Sequence, residues 1–162
     1  MEEQSKKQKK PLFDDVHGLR FMESWPAILR WLSILPVAIV VFLIVRILFV
    51  GTVLNIMQQS MPLVANYVGA VATLIVYCPV VEVSAAAAPS KRTAVATVLA
   101  LGISGSLIYT AFAFWHTLSF EPNVHTGIVL TLSTVCATLG SFLGVRNTYV
   151  RSKKQLLEKV QD

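Results

Sequence analysis

The sequence predicts an all-α integral membrane four-helix bundle, and three observations carry the prediction. Hydrophobic residues make up 54% of the 162-residue chain and charged residues only 14%, with a mean hydropathy of +0.63. The charge is segregated: of 23 Asp, Glu, Lys and Arg residues, 11 fall in residues 1–30 and 7 in 146–162. Only Arg46, Glu82, Lys91, Arg92 and Glu121 remain for the 115 residues between. The apolar sequence there forms four continuous runs of about 19–25 residues, enough to cross a ~30 Å hydrocarbon core at 1.5 Å per residue. A water-soluble domain needs charge along its whole length, and a disordered chain needs low hydrophobicity, so both are excluded. Barrel strands would alternate apolar and polar positions over ~10 residues, and these runs do not.

Residues 1–30 are expected to form a basic cytoplasmic tail and an interfacial segment. Lys6, Lys7, Lys9 and Lys10 make the tail basic. Asp14 and Asp15 precede Val16, Leu19, Met22 and Trp25, a pattern for a short capped amphipathic helix on the membrane surface. Trp25 and Trp31 suit the headgroup level, and Pro26 suits the first turn of a new helix.

The transmembrane domain is assigned to residues 31–145. Its first span, 32–53, is aliphatic and β-branched on all sides and is interrupted by Arg46. The uncharged residues 51–61, with Asn55, Gln58 and Gln59, either extend this helix or lie along the far interface. The second span, 62–86, starts at Ser60 and Pro62 and contains Pro79, which frees the carbonyl of Ile75 and predicts a kink. Ala85, Ala86, Ala87 and Ala88 lead into Pro89-Ser90-Lys91-Arg92, read as a turn with Ser90 as N-cap. The third span, 93–114, ends at Trp115, and a loop over 116–126 carries Glu121-Pro122-Asn123. The fourth span is 127–145. Residues 146–162 place Leu156, Leu157 and Val160 at helical spacing and continue as a basic cytoplasmic C-terminal helix.

Loop charges set the expected orientation. With four spans, 13 of the 14 Lys and Arg residues fall on the side of the two termini and the 87–92 loop, the other being Arg46 inside a span. The positive-inside rule then places both termini in the cytoplasm, in the cytoplasmic (inner) membrane. The absence of a cleavage site after the first run argues against a removed signal peptide. Cys78 and Cys136 lie in apolar runs and read as reduced core residues rather than a disulfide.

Helix contacts in a bilayer depend on small side chains that let backbones approach. The fourth span carries Cys136, Gly140 and Gly144 at four-residue spacing, with Ser133, Ala137 and Ser141 beside them. The third carries Ala96, Ala100 and Ser104, and separately Gly102 and Ser106. The first has almost none and is expected to be outermost. The Cys136/Gly140/Gly144 face reads either as packing within the chain or as an oligomer interface.

Among chemistry-bearing residues, Glu82 is foremost, a carboxyl about 12 Å inside the inner boundary. It is either a neutral or paired group reaching another helix or Lys91 and Arg92, or a proton- or cation-handling site. Arg46 lies near the bilayer centre if its helix runs 32–57 and snorkels outward if it runs 26–50. His116, Glu121 and His125 lack the local spacing of a metal site, so no metal or other cofactor is expected. Ser and Thr residues in the spans read as helix-to-helix hydrogen-bonding groups. No catalytic motif appears, and an enzyme is not expected. Lys6, Lys7, Lys9, Lys10, Lys91, Arg92, Arg146, Arg151, Lys153 and Lys154 are expected to contact anionic lipid headgroups rather than nucleic acid.

The expected function is therefore helix–helix assembly, as a homo-oligomer or as an accessory or anchoring subunit of a larger membrane complex. The basic ends would reach headgroups or a soluble cytoplasmic partner. The alternative is a small ion- or proton-coupled channel or transporter using Glu82 and possibly Arg46.

Overall fold

The structure is a computed structural model that describes residues 13, 14, 18, 19, 22, 24–117 and 124–161. Two short strands, β1 (Phe13–Asp14) and β2 (Gly18–Leu19), pair antiparallel, with Phe13 opposite Leu19. The amphipathic helix expected from Asp14 onward is thus not formed at these residues. Gly18 disfavours a helix there, since it costs a helix interior about 1 kcal/mol relative to Ala.

Four helices long and apolar enough to cross a membrane follow. The first is a continuous rod over Ala27–Ser60. It consists of α1 (Ala27–Leu32), α2 (Ile34–Leu48), a π-helical turn (Phe49–Leu54) and α3 (Asn55–Ser60). Pro26 caps its start. Residues 51–60 extend the helix, so the rod is longer at both ends than the expected 32–53. The others are α4 (Pro62–Ala87), α5 (Arg92–Thr117) and α6 (Val124–Gln161). These three match the expected spans within a few residues, and α6 runs unbroken from the fourth span into the basic tail. Pro62 sits in the first turn of α4, where its missing N–H has no partner to lose, and the helix continues through Pro79. Between α4 and α5 the helix start falls at Arg92, so Lys91 rather than Ser90 precedes it, with φ 51° in the left-handed region.

Helices α4 and α6 run parallel and pack directly on each other, and α5, which joins them in sequence, returns in the opposite direction. Contacts advance together along α4 and α6: Tyr67 meets His125, Thr73 meets Ser133 and Glu82 meets Arg151. Arg30 Nη2 donates to the Ala88 carbonyl at 3.4 Å, which brings the start of the first rod to the C-terminal end of α4. There its positive charge satisfies an end-of-helix acceptor. This is the basic end of the bundle, with Arg30, Lys91 and Arg92. The opposite, neutral end holds Gln58, Asn66 and Thr126.

The core sits toward the basic end. Val81, Ala85, Ala87, Ala88, Val95, Ala96 and Ala100 are buried together with Ile34 and Met22, and Val145 of α6 packs against them. The alanine run at the end of α4 has a structural reason: side chains this small let four chain segments converge. The first rod is mostly exposed along its length, as its lack of small residues predicts.

Hydroxyl groups along α6 are mostly satisfied within their own helix. Thr131, Thr134, Thr138, Ser141, Thr148 and Ser152 each donate to the carbonyl four residues earlier. Thr134 thereby departs from the expected helix-to-helix role, whereas Thr131 keeps it by also accepting from Trp115. Back-bonding lets a polar side chain sit in apolar surroundings without a neighbour. Two exceptions cross between helices: Thr73 Oγ1 donates to the Ser133 carbonyl at 3.0 Å, and Trp115 Nε1 donates to Thr131 Oγ1 at 3.0 Å.

Candidate functional site

The α4–α6 seam is built on glycine. A Cβ on Gly140 would fall against the backbone of Leu74, 2.9 Å from its Cα. One on Gly144 would lie 2.7 Å from the Cys78 carbonyl oxygen. Neither position has room for a side chain, because α4 backbone already fills the space. Cys136 is buried and, like Cys78, is a free thiol. The face offered by the sequence as helix packing or as an oligomer interface is thus occupied within the chain at both glycines.

The seam ends in an ion pair. Arg151 Nη1 lies 2.6 Å from Glu82 Oε1, with the Glu82 side chain 15% exposed and that of Arg151 49%. The contact is close in distance without the alignment of a hydrogen bond at that oxygen. One turn inward, Asn147 Nδ2 donates to Cys78 Sγ at 3.7 Å. Glu82 therefore turns to α6, not to Lys91, Arg92 or Arg46. The sequence assigned Arg151 to lipid headgroups because the fourth span was ended at 145. The signal was nonetheless present: Gly140, Gly144, Thr148 and Arg151 follow one helical stripe, and Leu74, Cys78 and Glu82 follow its partner.

A second feature opens at the neutral end. The first rod packs on α4 there, Leu54 over Gly69 and Phe42 beside Tyr77, and a cleft of about 490 Å³ lies between the rod, α4 and α6. Its lining includes Arg46, Gln58, Asn66, Thr73, Tyr77 and Ser133, with Phe42, Phe49 and Leu54 closing one wall. Arg46 is the one charged residue in that lining. Its guanidinium lies 5.6 Å from the centre of the Phe42 ring, within cation–π range, and Phe42 in turn packs against Tyr77 with ring centres 5.7 Å apart. Since the helix runs 27–60, Arg46 lies inside the rod rather than near its end. The cleft does not include Glu82, so Arg46 and Glu82 belong to separate places. Nothing in the sequence pattern marked this cleft, because it is lined by residues of four helices rather than by spacing on one.

An apolar groove of about 320 Å³ adjoins it, lined by Phe49, Tyr67, Val68, Val71, Ala72 and Ile75. Phe49 and Ala72 belong to both hollows.

The remaining candidates are dispersed. His125 Nδ1 lies 3.3 Å from the Tyr67 hydroxyl, and His116 packs beside Phe112 with ring centres 6.3 Å apart. Glu121, Lys6, Lys7, Lys9 and Lys10 lie outside the described residues. Arg146, Lys153 and Lys154 are exposed on α6, and Lys91 is exposed at the turn. The chain matches no protein-family model, no curated protein and no solved structure.

Proposed function

We propose that the protein is a small polytopic membrane protein that acts through helix–helix assembly, as a homo-oligomer or an accessory subunit of a larger membrane complex. Both termini lie in the cytoplasm, where the basic ends meet anionic headgroups or a soluble partner. The observation that carries the reading is the outer face of α5. Val98, Gly102, Gly105 and Tyr109 follow one stripe, with Val98 69% and Tyr109 73% exposed. A Cβ at Gly102 or Gly105 would meet nothing within 4 Å. Glycine weakens a helix by about 1 kcal/mol relative to Ala, and in a membrane it is useful where another helix must come close. On α6 that helix is α4; on α5 a second copy or another subunit would supply it.

The interface is thereby proposed on α5 rather than on the α6 face, which the sequence offered as one of two readings. Ser106 lies beside the stripe and is exposed, so the double variant Gly102→Leu/Ser106→Leu blocks close approach without touching the core. In mild detergent, the wild type should run as an oligomer or hetero-complex and this variant at a smaller mass. A wild type that is monomeric with no co-purifying subunit, and a variant of the same mass, would refute the proposal.

The transport alternative receives one supporting observation, the cleft at Arg46. Glu82 is held by Arg151 outside that cleft, and the buried alanines lie between the cleft and the basic end.

A further inference from the structure

We propose that the cleft at the neutral end is a binding site for the phosphate of an anionic phospholipid headgroup, with one acyl chain in the adjoining groove. The inference is independent of the assembly reading.

Depth comes first. Arg46 is 16 residues beyond Arg30, which marks the basic end. At 1.5 Å per residue that is about 24 Å, in the far third of a ~30 Å hydrocarbon core. On the facing helix, Tyr77 is 11 residues from Ala88 and Asn66 is 22. These correspond to about 16 and 33 Å, so the cleft rises from mid-membrane to the neutral headgroup level.

The charge balance comes second. Among the described residues Arg46 forms no ion pair and no carboxylate lines the cleft. A cation at that depth costs several kcal/mol unless a partner or water compensates it. The Phe42 ring offsets part of this cost, and an anion would offset more. The planar guanidinium fork matches phosphate oxygens in two-point geometry. Gln58, Asn66 and Tyr77 add neutral donors, which can serve phosphate oxygens and headgroup hydroxyls without introducing a competing negative charge.

Shape comes third, and it distinguishes a lipid from a free anion. A volume of about 490 Å³ exceeds what inorganic phosphate fills and suits a headgroup. The apolar groove meets the cleft at Phe49 and Ala72, which line both, so a lipid charged at one end and hydrocarbon at the other would pass these two side chains to occupy both. The π-helical turn Phe49–Leu54 borders the cleft, a distortion that often accompanies binding sites in helices.

The test is equilibrium binding of phosphatidylglycerol to the full chain in neutral detergent, against phosphatidylcholine and inorganic phosphate. Retention of phosphatidylglycerol should exceed that of phosphatidylcholine by about tenfold, the scale of one charge-assisted contact. Arg46→Gln should abolish the preference, and Arg46→Lys should keep part of it. Asn66→Trp, which blocks the mouth while keeping the cation, should lower binding as well and decides the matter should Arg46→Gln not fold. Lys153→Gln/Lys154→Gln should leave the preference intact, separating the cleft from the basic tail. Equal retention of the two lipids, or a preference unchanged in Arg46→Gln and Asn66→Trp, would overturn the site. Displacement by millimolar inorganic phosphate would overturn the lipid assignment in favour of a free anion.

Discussion

Seven glycines of the helices divide by what a side chain would meet, and the division orders the substitutions. Gly140 and Gly144 face α4 backbone, Gly127 faces the Trp115 ring at 2.7 Å, and Gly102 and Gly105 face open space. Backbone cannot yield as a flexible side chain can. Gly140→Leu should therefore destabilise the bundle by at least about 3 kcal/mol. Gly102→Leu meets nothing within the chain and should lower the thermal midpoint in detergent far less, by no more than the loss of the proposed α5 interface. The two midpoints, measured side by side, check this, and equal losses would contradict the seam. At Glu82 the expectation follows from its ion pair. Glu82→Gln keeps size and an acceptor and leaves Arg151 with access to water, so its effect should be under about 1 kcal/mol. Arg151→Leu strands a carboxyl that is mostly buried, and should cost more, about 1–3 kcal/mol after allowing for the half-exposed arginine. Comparison of the thermal midpoints would expose the reverse order. The sequence made Glu82 stand out as a carboxyl in apolar surroundings, but its partner needed a contact between residues 69 positions apart.

The helices themselves were more legible than their contacts. Composition and run length located α4 and α5 within a few residues, because hydrocarbon thickness dictates length. Three boundaries departed. The first rod continues through an uncharged polar stretch, since Asn55, Gln58 and Gln59 carry no signal to stop a helix. The predicted N-terminal helix gave way to strand pairing at Phe13–Asp14 and Gly18–Leu19, where few apolar positions support a helix against the cost of glycine. The Ser90 cap moved because the chain turns at Lys91 instead. That turn yields a prediction of its own. Lys91 holds φ 51° with a side chain that disfavours it, a cost of roughly 1–2 kcal/mol for a non-glycine residue. Lys91→Gly should raise the thermal midpoint or leave it unchanged, the gain being reduced by greater unfolded-state freedom. A clear fall would mean that the lysine charge or its aliphatic stem supports the basic end more than the backbone opposes it.

At the scale of the whole molecule the bundle is asymmetric along its axis. At the basic end Val81, Ala85, Ala87, Ala96 and Ala100 are sealed from every side, whereas at the neutral end a cleft opens between the first rod, α4 and α6 around Arg46. Side-chain size goes with the difference: alanines allow close convergence at the basic end, while Phe42, Phe49 and Tyr77 line the cleft. Loop charge points the same way, because basic residues gather at the sealed end, and in the orientation proposed from the positive-inside rule that end would face the cytoplasm. Together these predict how a small thiol reagent enters. With Cys78 and Cys136 replaced, a cysteine at Gln58 should label from outside intact cells, and one at Lys154 only after permeabilisation. A cysteine at Ser133 in the cleft should label from outside with a small reagent but not a bulky one, whereas one at Val81, fully buried, should label from neither side. Outside labelling at Lys154 would invert the orientation. Labelling at Val81 from the cytoplasmic side would show that the alanine seal opens, converting a blind cleft into a pathway and moving the balance toward transport.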